Sequence, residues 1–96
     1  MQCRIFIRGE VDLASAGNVL ADIQRAISAS DANLRVDCTH LTFIDSSGVR
    51  ALVDAHSLLE SKGRTLTIVN LAPGPQRVFE ILGLTDLFNI ERISAS

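Results

Sequence analysis

Tryptophan and tyrosine are absent from this chain, and its only aromatic side chains besides two histidines are four phenylalanines. Nucleic-acid binding wants a basic face and usually stacking platforms. Neither is here: nine Lys and Arg are scattered among eleven Asp and Glu, for a net charge of −2. Direct nucleic-acid binding is therefore not expected. Cysteine is scarce as well. Cys3 and Cys38 have no Cys or His partners at metal-ligand spacing, so no zinc site is expected. Both read as small apolar residues of a reducing compartment. They are expected at opposite ends of the sheet, on the order of 15 Å apart, too far for a disulfide. No apolar run approaches the ~20 residues of a membrane helix. Residues 1–20 carry Glu10 and Asp12 and lack the pattern of a signal peptide. The expectation is a cytoplasmic chain without membrane insertion. Also missing are a Gly-x-Ser-x-Gly elbow, a Walker A loop and a Gly-x-Gly-x-x-Gly turn. No cofactor is implied.

What is present is a strongly apolar small chain: 96 residues, 47% hydrophobic and 21% charged. That suits one folded domain over residues 1–96 with a single core. Cys3 to Arg8 alternates and reads as a strand. Gly9 to Asp12 leaves it. Ala16, Val19, Leu20, Ile23, Ala26 and Ile27 form a helical stripe, with Ser15 as its cap. After a polar loop, Leu34 to Cys38 reads as a second strand. A second helix ends at Lys62-Gly63, with Gly63 in the C′ position. Thr65 to Val69 is a third strand. A short third helix carries Val78, Phe79 and Leu82, with Pro75 near its first position and Gly83 as its stop. Phe88 to Ile93 is a fourth short strand. The order is β-α-β-α-β-α-β, an α/β pattern that implies mostly parallel strands covered by helices. Right-handed crossovers then gather Gly9–Leu13, Thr39–Ser47 and Asn70–Pro75 at the strands' carboxyl ends, where open α/β sheets place their sites.

Asp45-Ser46-Ser47-Gly48 is the most informative stretch. The apolar approach Leu41-Thr42-Phe43-Ile44 leads into it, and Val49, Leu52, Val53, His56 and Leu59 follow at helical spacing. Two serines and a carboxylate therefore stand where a loop becomes a helix. Ser and Asp at such a place most often only cap. A helix start also offers unpaired N–H groups and a positive dipole end, which tolerate phosphate. A hydroxyl there can carry a phosphoryl switch.

Nucleophilic catalysis would need a base beside the serine. His56 lies about 12–15 Å along the helix axis from its start. His40 sits six residues before Ser46 without an evident orienting carboxylate. Both read as structural or solvated. Glu10 and Asp12 are either solvated acids or an acidic edge facing a partner. Arg50 and Asp54 are an i,i+4 pair on the polar face.

Three segments in this order resemble the STAS domain. They are Gly9-Glu10-Val11-Asp12-Leu13-Ala14-Ser15-Ala16, then Leu41 to Val49 around Asp45-Ser46-Ser47-Gly48, then Val78-Phe79-Glu80-Ile81-Leu82-Gly83-Leu84 with Leu87-Phe88. STAS domains occur in sulphate transporters and in bacterial anti-sigma factor antagonists, and the stand-alone length resembles the antagonists. The resemblance implies that Ser46 is phosphorylated by a serine kinase that is also the anti-sigma factor, with Ser47 the second choice. It implies that the unphosphorylated chain binds that kinase and frees a sigma factor, that phosphorylation releases it, and that a phosphatase resets it. The expected partner surface is Glu10, Asp12, Asp45, Ser46, Ser47, Gly48, Arg50 and Pro73. Against the family pattern, the first strand, which pairs antiparallel with the strand before Gly9-Glu10, is expected to be absent, and a final helix after Ile93 to be missing. An open sheet edge would follow, and with it a homodimer by strand pairing. The alternative reading is an adaptor subunit of a lipid-transport ATPase complex or signalling assembly, without phosphorylation. An enzyme is not expected.

Overall fold

Short β-branched and leucine-rich runs alternate with amphipathic stretches, and each run finds a parallel partner. The computed structural model describes residues 2–92. Its elements are β1 (Gln2–Phe6), β2 (Gly9–Val11), α1 (Ala16–Ala29), β3 (Asn33–Asp37), β4 (Leu41–Ile44), α2 (Ser46–Ser61), β5 (Leu66–Val69), α3 (Pro73–Ile81) and β6 (Asn89–Glu91). Four strands form one sheet in the order β1-β3-β5-β6, and β2 pairs with β4 in a separate two-stranded sheet. All four pairings are parallel. The α/β class and the parallel sheet expected from the sequence are found.

The strand count differs. The strand expected over Cys3–Arg8 stops at Phe6, and a second begins at Gly9. Leu41–Ile44, expected as a loop approach, is itself a strand. β2 and β4 continue the β1/β3 pairing past a break. The Ile7 N–H still donates to the Asp37 carbonyl and the Gly9 N–H to the His40 carbonyl. Gly9 has φ +68 there, and the register shifts between Gly9 and Glu10. A three-residue strand is too short for a period-2 signal. In β4 only the end residues Leu41 and Ile44 are buried, so no alternation announces it. β1 pairs only with β3 among the described residues, which leaves its other edge open. The expectation that a final helix is missing after Ile93 concerns positions outside the described residues.

The core joins both sheets to the helices. Val36 and Ile68 from the central strands, Ile23 and Ile27 from α1, Leu52 and Leu59 from α2, and Phe79 from α3 are fully or almost fully buried. Burial of each such side chain contributes roughly 1.5–3 kcal/mol. Gly63 has φ +70 and ends α2 with its N–H on the Glu60 carbonyl, as the C′ expectation had it. α3 begins at Pro73 rather than near Pro75. Pro73 takes the first helical turn, where its missing N–H is no loss, and Pro75 is buried. Among the described residues no helix is long and apolar enough to cross a membrane.

Candidate functional site

Asp45 starts α2. Its backbone is extended, and its carboxylate accepts the Gly48 N–H at 3.1 Å, so the expected capping role is real. Its own N–H donates to the Val11 carbonyl at 3.1 Å. That bond ties the start of α2 to the last residue of β2, between Glu10 and Asp12. Gly48 is buried against the same strand pair. A Cβ there would stand 2.6 Å from Ile44 Cγ1 and 2.8 Å from Val11 Cγ1. The missing side chain is what lets the first turn of α2 lie on β2 and β4.

The cap leaves the serines outward. Ser46 is exposed and Ser47 half-buried. They open into different grooves. Ser46 lies in one of about 350 Å³ walled by Val49 and Val53 of α2 and by Leu82 and Leu84 just beyond α3. Ser47 lies in one of about 300 Å³ between α1 and α2, against Leu13, Ala16 and Leu20. Arg50 and Asp54 line both. They do not close to an ion pair, so the expected i,i+4 bridge is not formed among the described residues. Leu82, in the wall of the Ser46 groove, is itself 43% exposed.

The acids of β2 divide. Glu10 is an exposed residue of the strand, level with Phe43 of β4. Asp12 is not a free acid. Its Oδ1 accepts the Ser15 N–H at 3.1 Å, and Ser15 Oγ accepts the Asp12 N–H at 3.0 Å. This reciprocal box holds the turn before α1. Ser15, expected to cap α1, makes no side-chain cap bond to the helix and serves the turn instead. Pro73 opens α3, whereas the wall of the Ser46 groove comes from Leu82 and Leu84 past that helix's other end. The structure therefore brings Asp45, Ser46, Ser47, Gly48 and Arg50 together, stitches the Glu10–Asp12 strand to them, and leaves Pro73 out of both grooves. Val53, Leu82 and Leu84 carry no chemistry that marks them as site residues in the sequence. Their only signal was that the leucines sit in the third STAS-like segment.

The histidines lie elsewhere. His56 is half-buried, edge-on to Phe88 with ring centroids 5.6 Å apart, and its Nε2 is 3.8 Å from Glu60. His40 is an exposed loop residue whose carbonyl serves Gly9. Neither lines a serine groove. Among the described residues no group of three or more His, Cys, Asp or Glu could hold a metal ion.

The STAS domain family model matches residues 3–96. The chain belongs to the STAS domain family. This STAS domain is 30% identical over 89 residues to the anti-sigma-B factor antagonist of Listeria monocytogenes, covering 93% of this chain and 78% of that protein. It is 30% identical over 87 residues to the anti-sigma-B factor antagonist of Bacillus subtilis, covering 91% and 79%. Its fold is similar to that of the anti-sigma factor antagonist SpoIIAA in its unphosphorylated form, with a TM-score of 0.82, 24% identity and coverage of 98% and 81%. It is also similar to the Bacillus cell fate determinant SpoIIAA in the phosphorylated form, with a TM-score of 0.74, 23% identity and coverage of 98% and 84%.

Proposed function

We propose that this STAS domain is an anti-sigma factor antagonist that works by binding, not catalysis, and that Ser46 is its phosphorylation switch. The observation that carries the reading is the placement of Ser46. It is exposed on the first turn of α2, beside an apolar groove, while Asp45 already satisfies the cap. Its hydroxyl is therefore free for a partner. The names of the relatives favour this reading over the adaptor alternative.

The unphosphorylated chain binds an anti-sigma factor that is also its serine kinase, and a sigma factor is released. The Ser46 Oγ then takes the γ-phosphoryl group of ATP, the hydroxyl proton leaves to solvent, and ADP departs. A phosphoserine adds about −1.5 to −2 charges at neutral pH. The start of α2 and the β2 strand already hold Asp45 and Glu10. A partner surface shaped for a neutral hydroxyl meets a bulky dianion, and like-charge contact at an interface can cost several kcal/mol. Each ~1.4 kcal/mol is a tenfold change in affinity, so release is within reach. A phosphatase resets the switch.

The test is intact-mass analysis after incubation with ATP and a cognate anti-sigma kinase, followed by calorimetry. One phosphoryl group on Ser46 is expected. Ser46→Ala should bind the kinase and stay bound in ATP, and Ser46→Asp should bind weakly with a near-native circular dichroism spectrum. Phosphate on Ser47 alone would move the site by one residue. Phosphate elsewhere, with Ser46→Asp binding as tightly as wild type, would refute the assignment.

A further inference from the structure

Arg50 is the basic side chain of the Ser46 groove, and nothing anionic holds it. It follows Ser46 by four residues on α2. Residues at that spacing share a helix face, with Cβ atoms about 5–6 Å apart. Arg50 is exposed, and among the described residues its guanidinium makes neither an ion pair nor a hydrogen bond. Asp54, one turn further on, lines the same grooves without closing on it. The remaining walls carry no titratable group: Val49, Val53, Leu82 and Leu84 on one side, and Leu13, Ala16 and Leu20 on the other. A guanidinium offers a planar fork of donors that matches phosphate oxygens two at a time.

We propose that Arg50 is the receptor for the phosphoryl group on Ser46, so that phosphorylation closes a phosphoserine–arginine clamp along one face of α2. The proposal rests on the reading of Ser46 as the modified hydroxyl. The clamp gives the modification a reach that charge on Ser46 alone lacks. Arg50 lines the α1–α2 groove as well as the Ser46 groove. Drawing it onto the phosphate takes a cation away from the α1–α2 groove and neutralises it in the Ser46 groove. An acidic partner side chain that pairs with Arg50 in the unphosphorylated state loses its counter-charge when the dianion arrives. The clamp also offsets part of the phosphate charge next to Asp45, which keeps the first turn of α2 folded.

The test uses the full chain with phosphoserine installed at position 46 during synthesis, so that no kinase is needed. Phosphorus NMR follows the phosphate's second ionisation between about pH 4 and 8. In the wild-type background it should fall below the ordinary value of about 6. Arg50→Gln should raise it by roughly half a unit or more, with Arg50→Lys between the two. High salt should move the wild type toward Arg50→Gln and leave Arg50→Gln little changed. Identical titrations in all three proteins would overturn the clamp. A kinase that never modifies Ser46 would instead overturn the functional reading, while the NMR comparison still decides the clamp. If Arg50→Gln did not fold, the Arg50→Lys and salt series would carry the same decision.

Discussion

A methyl group on Gly48 would stand 2.6 Å from Ile44 Cγ1. Real side chains do not come that close, and Ile44 is itself buried and pinned in β4. Gly48→Ala would gain up to ~1 kcal/mol of helix propensity. Overpacking of this kind costs typically about 1–3 kcal/mol. The expected result is net destabilisation of up to about 2 kcal/mol, with a melting temperature lowered by roughly 4–8 °C per kcal/mol. Thermal melts of the purified variant check this. A melting temperature at or above that of wild type would show that β2 and β4 yield easily.

Asp45 should be separable into cap and charge. Asp45→Ala removes the acceptor for the Gly48 N–H and should cost about 1 kcal/mol. Asp45→Asn keeps an acceptor oxygen and should cost much less. Urea denaturation of the three proteins decides it. Equal losses in both variants would mean that the carboxylate charge, not the cap bond, stabilises this end of α2.

Asp37 gives a pH dependence. Burial pulls its carboxyl upward, but hydrogen bonds from the Thr39 hydroxyl at 2.5 Å and the Thr39 N–H at 2.9 Å, with Arg4 and His40 nearby, outweigh it. The net effect holds the group below its ordinary value of 3.8. A depressed folded-state value stabilises the fold above the unfolded value, and the effect is lost as pH falls through the folded one. The advantage of wild type over Thr39→Val should therefore be full at neutral pH and shrink as pH drops below 3.8. Denaturant melts across that window test it. A constant difference would assign the effect to packing or to the Asn70 bond on the Thr39 hydroxyl.

The two thiols should react in order. Cys38 is fully buried, and desolvation, with Asp37 beside it, pushes its thiol up to about 12. Cys3 is half-buried. Cys3 stands level with Leu34, four residues before Cys38 along the neighbouring strand, which is about 13 Å. Both are free, as the spacing implied. A thiol reagent should modify Cys3 in the folded chain and Cys38 only on unfolding. Cys38 labelling at the Cys3 rate would show a core that opens under native conditions.

Much of this molecule is written locally. The Ile23 and Ile27 stripe of α1, the Asp45 cap and the Gly63 stop each concern residues within a turn or two, and the parallel α/β order follows from their alternation. Asp12 shows where local reading fails. Asp and Ser three residues apart can each cap, and helical spacing alone assigns Ser15 to α1. The chain instead uses both in a turn, because Ala16 already reaches the Asp12 carbonyl at 2.8 Å.

The sequence by itself placed Ser46, Ser47 and Arg50 on the first turns of one helix, because capping and helical spacing depend only on neighbours along the chain. The tertiary structure decided what those residues face. Leu82 and Leu84 reach the Ser46 groove only because α3 packs against α2. Pro73 falls outside because it lies at the opposite end of that helix. The first turn of α2 rests on Val11 and Ile44 only because two strand segments too short to announce themselves pair beyond the main sheet. Contacts between residues dozens of positions apart depend on how buried surfaces pack, and no period or cap along the chain records that.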